Sequence, residues 1–154
     1  MHRIVTAFSV LVLLAAGCAQ SGIGEFDFAE GIVQHAVPAD EIAWKACPPH
    51  LPAGCEVAVL EGNPQGSGMF TVRFRLTDDF VMPAHTHPKD ERVTVLKGRM
   101  AVGFGVGATR EDAREFEPGD YYVNARGAVH TVWADKSSEI QITGIGPWEA
   151  NIVD

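Results

Sequence analysis

His85 and His87 stand two residues apart, Glu91 follows four residues later, and His130 lies in a separate β-prone stretch far downstream. An extended chain sends every second side chain to the same face, so His85 and His87 face one way and Glu91 keeps their parity. His130 joins them only if distant strands are folded side by side. Together the four offer three nitrogens and one carboxylate oxygen. Such a shell suits one divalent transition metal (Fe, Mn, Ni, Cu, Co or Zn), and the donor types do not choose among them. An exposed His-x-His pair also occurs without any metal, so the surrounding segments must carry the rest of the argument.

Those segments read as strands. Residues 69–76 alternate cleanly, with Phe70, Val72, Phe74 and Leu76 on one face and Thr71, Arg73 and Arg75 on the other. That is the pattern of a half-buried antiparallel strand. Residues 57–60, 80–85, 92–97, 99–104, 120–124, 128–134 and 139–145 form further short β-prone runs. Turn residues such as Gly62-Asn63-Pro64, Gly98 and Pro118-Gly119 separate them. With 16 Gly and 9 Pro in 154 residues, the chain favours an all-β barrel or double-sheet roll over a helical bundle. One short helix is expected between the histidine regions. Thr109 would cap it, Glu111 and Asp112 would sit in its first turn, and Ala113 and Phe116 would dock it. Parity puts Val81, Pro83, His85 and His87 on the interior face, with Val93 and Val95 if register holds through Glu91. Ala128, His130, Val132 and Ala134 face inward from the later strand, giving a pocket walled by Val and Ala. Pro88 could shift that register.

The residues resemble the cupin superfamily. The first cupin motif, G-x5-H-x-H-x3–4-E-x6-G, is matched by His85, His87, Glu91 and Gly98, with Asp79 in place of the first glycine. The second, G-x5-P-x-G-x2-H-x3-N, is matched by Gly119, Gly127 and His130, with Ala125 for the proline and Ala134 for the asparagine. The resemblance spans roughly residues 56–146. It is strongest to small single-domain bacterial cupins with the Asp-Glu-Arg-Val-Thr-Val-Leu and Gly-Ile-Gly-Pro-Trp runs found here at 90–96 and 144–148. It implies a double-stranded β-helix, or jelly-roll barrel, holding one divalent metal on His85, His87, Glu91 and His130. The three departures fall on turn and packing positions, not on these four residues.

Residues 1–17 read as a targeting segment. Arg3 gives a positive start, an apolar run follows, and the segment ends Leu14-Ala15-Ala16-Gly17-Cys18. It is too short to span a membrane as a helix. It resembles a bacterial lipobox, in which Cys18 would be lipidated after cleavage; an ordinary secretory signal cut slightly later is the alternative. Either way the chain is expected to be exported, to the periplasm, with a lipid anchor as its only membrane contact. Residues 18–55 would form an arm and a cysteine clasp, and 56–154 the barrel with its tail. Residues 26–37 could add an edge strand or cover the barrel mouth. Cys47 and Cys55 flank a proline-rich loop and could form a disulfide, remain two thiols, or bind a metal with His50 at poor spacing.

The net charge is −8, with no basic stripe, so no nucleic-acid partner is expected. The expected partner is a small molecule. A homodimer is open, because cupins often pair through sheet edges. The leading reading is a metalloenzyme, oxygenase-like or isomerase-like, working through open metal positions. The alternative is a periplasmic module that binds a small molecule or metal without turnover. A metal that merely staples the barrel is a third reading. No catalytic residue can be named beyond the ligand set; Tyr122 is a lesser candidate acid. Trp148 reads as a lock for the C-terminal tail, and Arg73 and Arg75 as a solvated strand face.

Overall fold

The computed structural model describes residues 22–153, which places the segment 1–17 and Cys18 outside the described residues. Nine strands follow one another: β1 (Lys45–Ala46), β2 (Cys55–Gly62), β3 (Met69–Leu76), β4 (Phe80–Thr86), β5 (Glu91–Phe104), β6 (Arg114–Phe116), β7 (Tyr121–Asn124), β8 (His130–Ile145) and β9 (Asn151–Ile152). All pair antiparallel in one curled sheet, in the order β1-β2-β3-β8-β4-β9. Strand β5 lies along β8 and carries β6 and β7 on its other edge. The fold is the jelly-roll barrel that the cupin motifs imply.

Strand β8 makes the sheet roll up. Its later half, from Ser138 to Ile145, pairs with β3. Its early half, from His130 to Ala134, pairs with β4, while β5 follows it nearly end to end. Residues 128–134 and 139–145, two separate strands in the sequence reading, are therefore largely one. So are 92–97 and 99–104. Gly98 does not reverse the chain. At φ 81° it takes a conformation that side chains avoid, and it lies at a run of register shifts that bend β5. Ser138 covers the break, its hydroxyl accepting from the Arg99 amide at 3.1 Å. Asp79, which replaces the first motif glycine, also has a positive φ of 62°, so the backbone keeps the shape and aspartate tolerates it.

The core follows β3. Phe70, Val72, Phe74 and Leu76 are buried, as their alternation predicts, and Val93, Val95, Met100, Ile140 and Ile142 pack against them. Arg73 and Arg75 lie on the opposite face. They pair with the buried Glu139, and Arg75 also covers the Trp44 ring at 4.0 Å. That face is an ion-pair patch rather than a freely solvated one.

Two expectations need correction. No helix forms at 109–116. The capping contact does form, with Asp112 N donating to Thr109 Oγ1 at 3.4 Å, but the chain then enters β6, which pairs with Met100–Val102 of β5. The stretch between the cap and Pro118 is too short for a stable helix, and strand pairing satisfies its backbone while burying Phe116. The second correction concerns β4. Phe80 and Met82 point inward and Val81 is exposed, the reverse of the expected parity, because the register slips between Met82 and His85. Pro83 has no N–H to give to the ladder, and the extra residue forms a bulge there. The bulge restores the parity of His85.

Cys47 and Cys55 form a disulfide. It closes the clasp beside β1 and β2, and Leu51 in the loop packs on the core. The N-terminal arm forms no strand among the described residues. It is tied down where Met69 N donates to Ile23 O and where His35 Nε2 lies 2.7 Å from Leu60 O.

Candidate metal centre

Strands β4, β5 and β8 and the turn after β4 bring the four sequence candidates together. His85 sits at the end of β4 after the bulge, directly opposite His130 at the start of β8. His87 follows just past Thr86, the last residue of β4, and Glu91 opens β5. All four are buried, with His130 fully enclosed.

Each imidazole is held by its Nδ1. His85 Nδ1 donates to Pro83 O at 2.8 Å, the carbonyl that the bulge turns back. His130 Nδ1 donates to Ala128 O at 3.0 Å, and His87 Nδ1 to Glu149 O at 2.6 Å in the C-terminal tail. A carbonyl can only accept, so each ring carries a proton on Nδ1, and in its neutral form it leaves an Nε2 lone pair. One ligating nitrogen from each of the three rings lies within 4.8 Å of the others. Glu91 faces the same point, with Oε1 3.3 Å from His87 Nε2 and Oε2 3.7 Å from His130 Nε2. Neither Nε2 finds a hydrogen-bond partner. Asn124 on β7 donates to Glu91 Oε2 at 3.0 Å and fixes the carboxylate.

Converging lone pairs beside a carboxylate, in a buried place, need a cation. The protonation balance reflects this. Burial, with help from the charge on His130, lowers His85 to about 4, so this ring is neutral at pH 7. Burial also works against charging His87, yet Glu91 outweighs it and raises the ring above its ordinary value. For Glu91, burial opposes ionisation and the rings of His130 and His87 overcome it, holding the carboxyl well below its usual range. The donor set fits a divalent transition metal: three imidazole nitrogens oriented by backbone carbonyls, and one carboxylate oxygen oriented by an amide.

Beside the cluster lies a cavity of about 60 Å³. Its walls include Phe74, Met82, Met100, Tyr122 and Trp148. Sequence parity predicted Val and Ala there. The β4 slip puts Met82 in the wall instead, and the tail supplies an aromatic that strand parity could not place. Tyr122 does reach the cavity. Burial pushes its phenol up, and the nearby charge of Glu91 adds to this, so it remains protonated. Asn124 was missed. It reads as a turn-prone residue at a strand end, and only its cross-strand position opposite Glu91 reveals its role.

Residues 33–149 match the ChrR cupin-like domain family. The chain belongs to that family, within the cupins. Among solved structures, the fold resembles the polyketide cyclase RemF from Streptomyces resistomycificus, with TM-score 0.63 at 16% identity, covering 79% of this chain and 87% of that one. It also resembles an acetylacetone dioxygenase from Acinetobacter johnsonii, with TM-score 0.60 at 19% identity, covering 88% and 85%. A third likeness is an RmlC-like cupin from Shewanella frigidimarina, with TM-score 0.58 at 14% identity, covering 73% and 91%. At these identities the likeness is one of fold, and a cyclase beside a dioxygenase illustrates that the fold does not select the reaction. No curated protein matches this chain.

Proposed function

We propose that this cupin is an exported metalloenzyme acting on a small molecule through a divalent metal held by His85, His87, Glu91 and His130. One observation carries the reading: three imidazoles, each committed at Nδ1 to a backbone carbonyl, turn an Nε2 toward one buried point beside an ionised carboxylate. When bound, a metal in such a shell supplies Lewis-acid polarisation or electron transfer, with positions left for substrate oxygen. The chain does the rest. Asn124 keeps Glu91 turned toward the rings, and the apolar cavity wall excludes water from the reacting atoms. Tyr122, protonated and inside the cavity, can donate a hydrogen bond to a substrate oxygen or hold a proton for it.

Binding without turnover is the second reading. The cavity wall favours it in one respect: beyond the ligand set, Tyr122 and Trp148 are its only polar side chains among the described residues, besides the disulfide sulfur of Cys55. Oxygen uptake or substrate loss by metal-loaded protein separates the two.

Export and attachment through Cys18 belong to the same proposal. The lipobox-like run supports them, as does the disulfide, which persists in an oxidising compartment. Metabolic labelling with palmitate, lost in Cys18→Ser, is the expected outcome; an unlabelled wild-type chain would exclude lipidation.

The deciding experiment is elemental analysis of protein purified from its native compartment, beside a His85→Ala/His87→Ala double variant. About one equivalent of a transition metal, absent in the variant, is expected from a single four-donor shell. Metal-free wild type would overturn the reading.

A further inference from the structure

The cavity beside the cluster, at about 60 Å³, is far below the roughly 300–1,000 Å³ of an ordinary small-molecule site, and it holds little more than water. Beyond one of its walls lies an open cleft of about 540 Å³ between the disulfide loop and the tail. Leu51, Phe74, Trp148 and Ala150 line both spaces, so these four side chains are the wall. For a larger molecule to pass from the cleft to the cluster, one of them must move.

Three of the four are tied down. Phe74 sits in β3, laddered to β2 on one edge and to β8 on the other. Trp148 donates its amide to Pro64 O at 2.7 Å, and its carbonyl accepts from Gln65 Nε2 at 3.3 Å. Ala150 lies between Glu149, whose carbonyl holds the His87 ring, and Asn151, which pairs with Thr86.

Leu51 differs. It stands in the loop 48–54, after the exposed Pro48, Pro49 and His50. Among the described residues, the one hydrogen bond made by residues 48–53 stays inside the loop, from Leu51 N to Pro48 O at 2.9 Å. Pro48, Pro49 and Pro52 have no N–H to give. The base of the loop is fixed, by contrast. The Cys47–Cys55 disulfide joins Cα atoms 5.6 Å apart, Cys47 N donates to Cys55 O at 3.1 Å, and Thr77 N donates to Gly54 O at 2.8 Å. The half-buried Leu51 side chain, packed on the core, holds the tip down. A firm base under an untied tip makes a flap.

We propose that Leu51 is the gate between the cleft and the cluster: lifting the tip 48–53 joins the cavity to the cleft and admits a small molecule with an apolar flank. The flank follows from the passage, whose sides are then Val57, Val72, Phe74 and Trp148. What the gate serves rests on the metal reading above; its opening does not.

The test uses tert-butyl hydroperoxide on the metal-free full chain, followed by peptide mass spectrometry of Met82 and Met100, which both line the cavity. The peroxide oxygen passes to the thioether sulfur, giving the sulfoxide, and the hydroperoxide leaves as tert-butanol. This probe is too bulky for the closed cavity, so oxidation reports opening. Both methionines should oxidise slowly in the wild type and about 10-fold faster in Leu51→Ala. That is the population shift expected when roughly half of a leucine's burial is lost from the closed state. Leu51→Val should fall between the two. Met69, which does not line the cavity, should oxidise at one rate in all three proteins. Val95→Ala truncates the core outside the cavity wall and should match the wild type.

Equal rates at Met82 and Met100 in Leu51→Ala and wild type would overturn the gate. So would a Val95→Ala protein as fast as Leu51→Ala, because oxidation would then follow general loosening of the core. No metal takes part, so either failure leaves the metal reading standing. Metal-free wild type in the elemental analysis would remove the purpose of the gate and not the gate.

Discussion

Strands β3 and β4 are neighbours of the same β8, yet they are built on opposite principles. Strand β3 pairs with β8 from Met69 to Leu76 without a slip, and its inward side chains are all apolar. Strand β4 pairs with β8 for three residues, slips at Pro83, and resumes with a histidine opposite a histidine. The regular strand supplies burial. The irregular one supplies direction, because the bulge frees the Pro83 carbonyl that holds His85. Stability and site are thus carried by different strands, and perturbing each should give a different signature.

The largest expected effect is on the β3 side. Phe70 is fully buried, and Phe70→Ala should cost about 3–5 kcal/mol through lost burial and the cavity left behind. Urea unfolding of metal-free protein measures this; a loss under 1 kcal/mol would contradict the division between the strands. On the β4 side, the signature is metal-dependent. Free metal at about 100 times its Kd should stabilise the wild type by about 2.7 kcal/mol. That gain should vanish in His85→Ala, whose metal-free unfolding midpoint should stay near that of the wild type. An equal metal-induced shift in both proteins would remove His85 from the ligand set.

The clasp belongs to the burial side of the comparison. A paired Cys47→Ser/Cys55→Ser variant should lose about 2.5 kcal/mol by loop-closure entropy, less whatever the prolines of the loop already contribute. Denaturant unfolding reads this, and metal stoichiometry should not change. The smallest effect is at the surface, where Arg110 pairs with Asp135 and Glu115. Arg110→Ala should cost about 0.5 kcal/mol at neutral pH. Arg110 lowers the pKa of Asp135 below its ordinary 3.8, so this contribution is present above that value and is lost as pH falls through the lower, folded-state pKa. A wild-type-minus-variant difference that does not shrink as pH is lowered below 3.8 would argue against the ion pair as its source.

The sequence made the β3 side legible and half of the β4 side. Alternation at 69–76 placed the core face because nothing interrupts the ladder there. The four candidate residues were legible from spacing and motif, since Glu91 opens an extended strand whose Val93 and Val95 do point inward. What strand parity could not carry was the slip at Pro83, which exchanged Val81 for Phe80 and Met82 in the wall. Pro88 drew attention as the breaker, whereas the slip came five residues earlier, within β4. The helix expected at 109–116 failed because its capping signal is local and the pairing of β6 with β5 is not. Asn124 and the carbonyl of Glu149 were invisible for a related reason: each acts across the fold, one on Glu91 and the other on His87.

The bond from His87 to Glu149 has a consequence in the order of chain delivery. Synthesis proceeds from the N-terminus, so every candidate ligand has been delivered once His130 emerges. The ring of His87 nevertheless lacks its acceptor until the tail has been threaded past Pro64 and set down against β4. A nascent or clipped chain ending before residue 149 would carry all four donors with one ring free to turn. Ion capture would then come late, as a mark of completed folding rather than its seed.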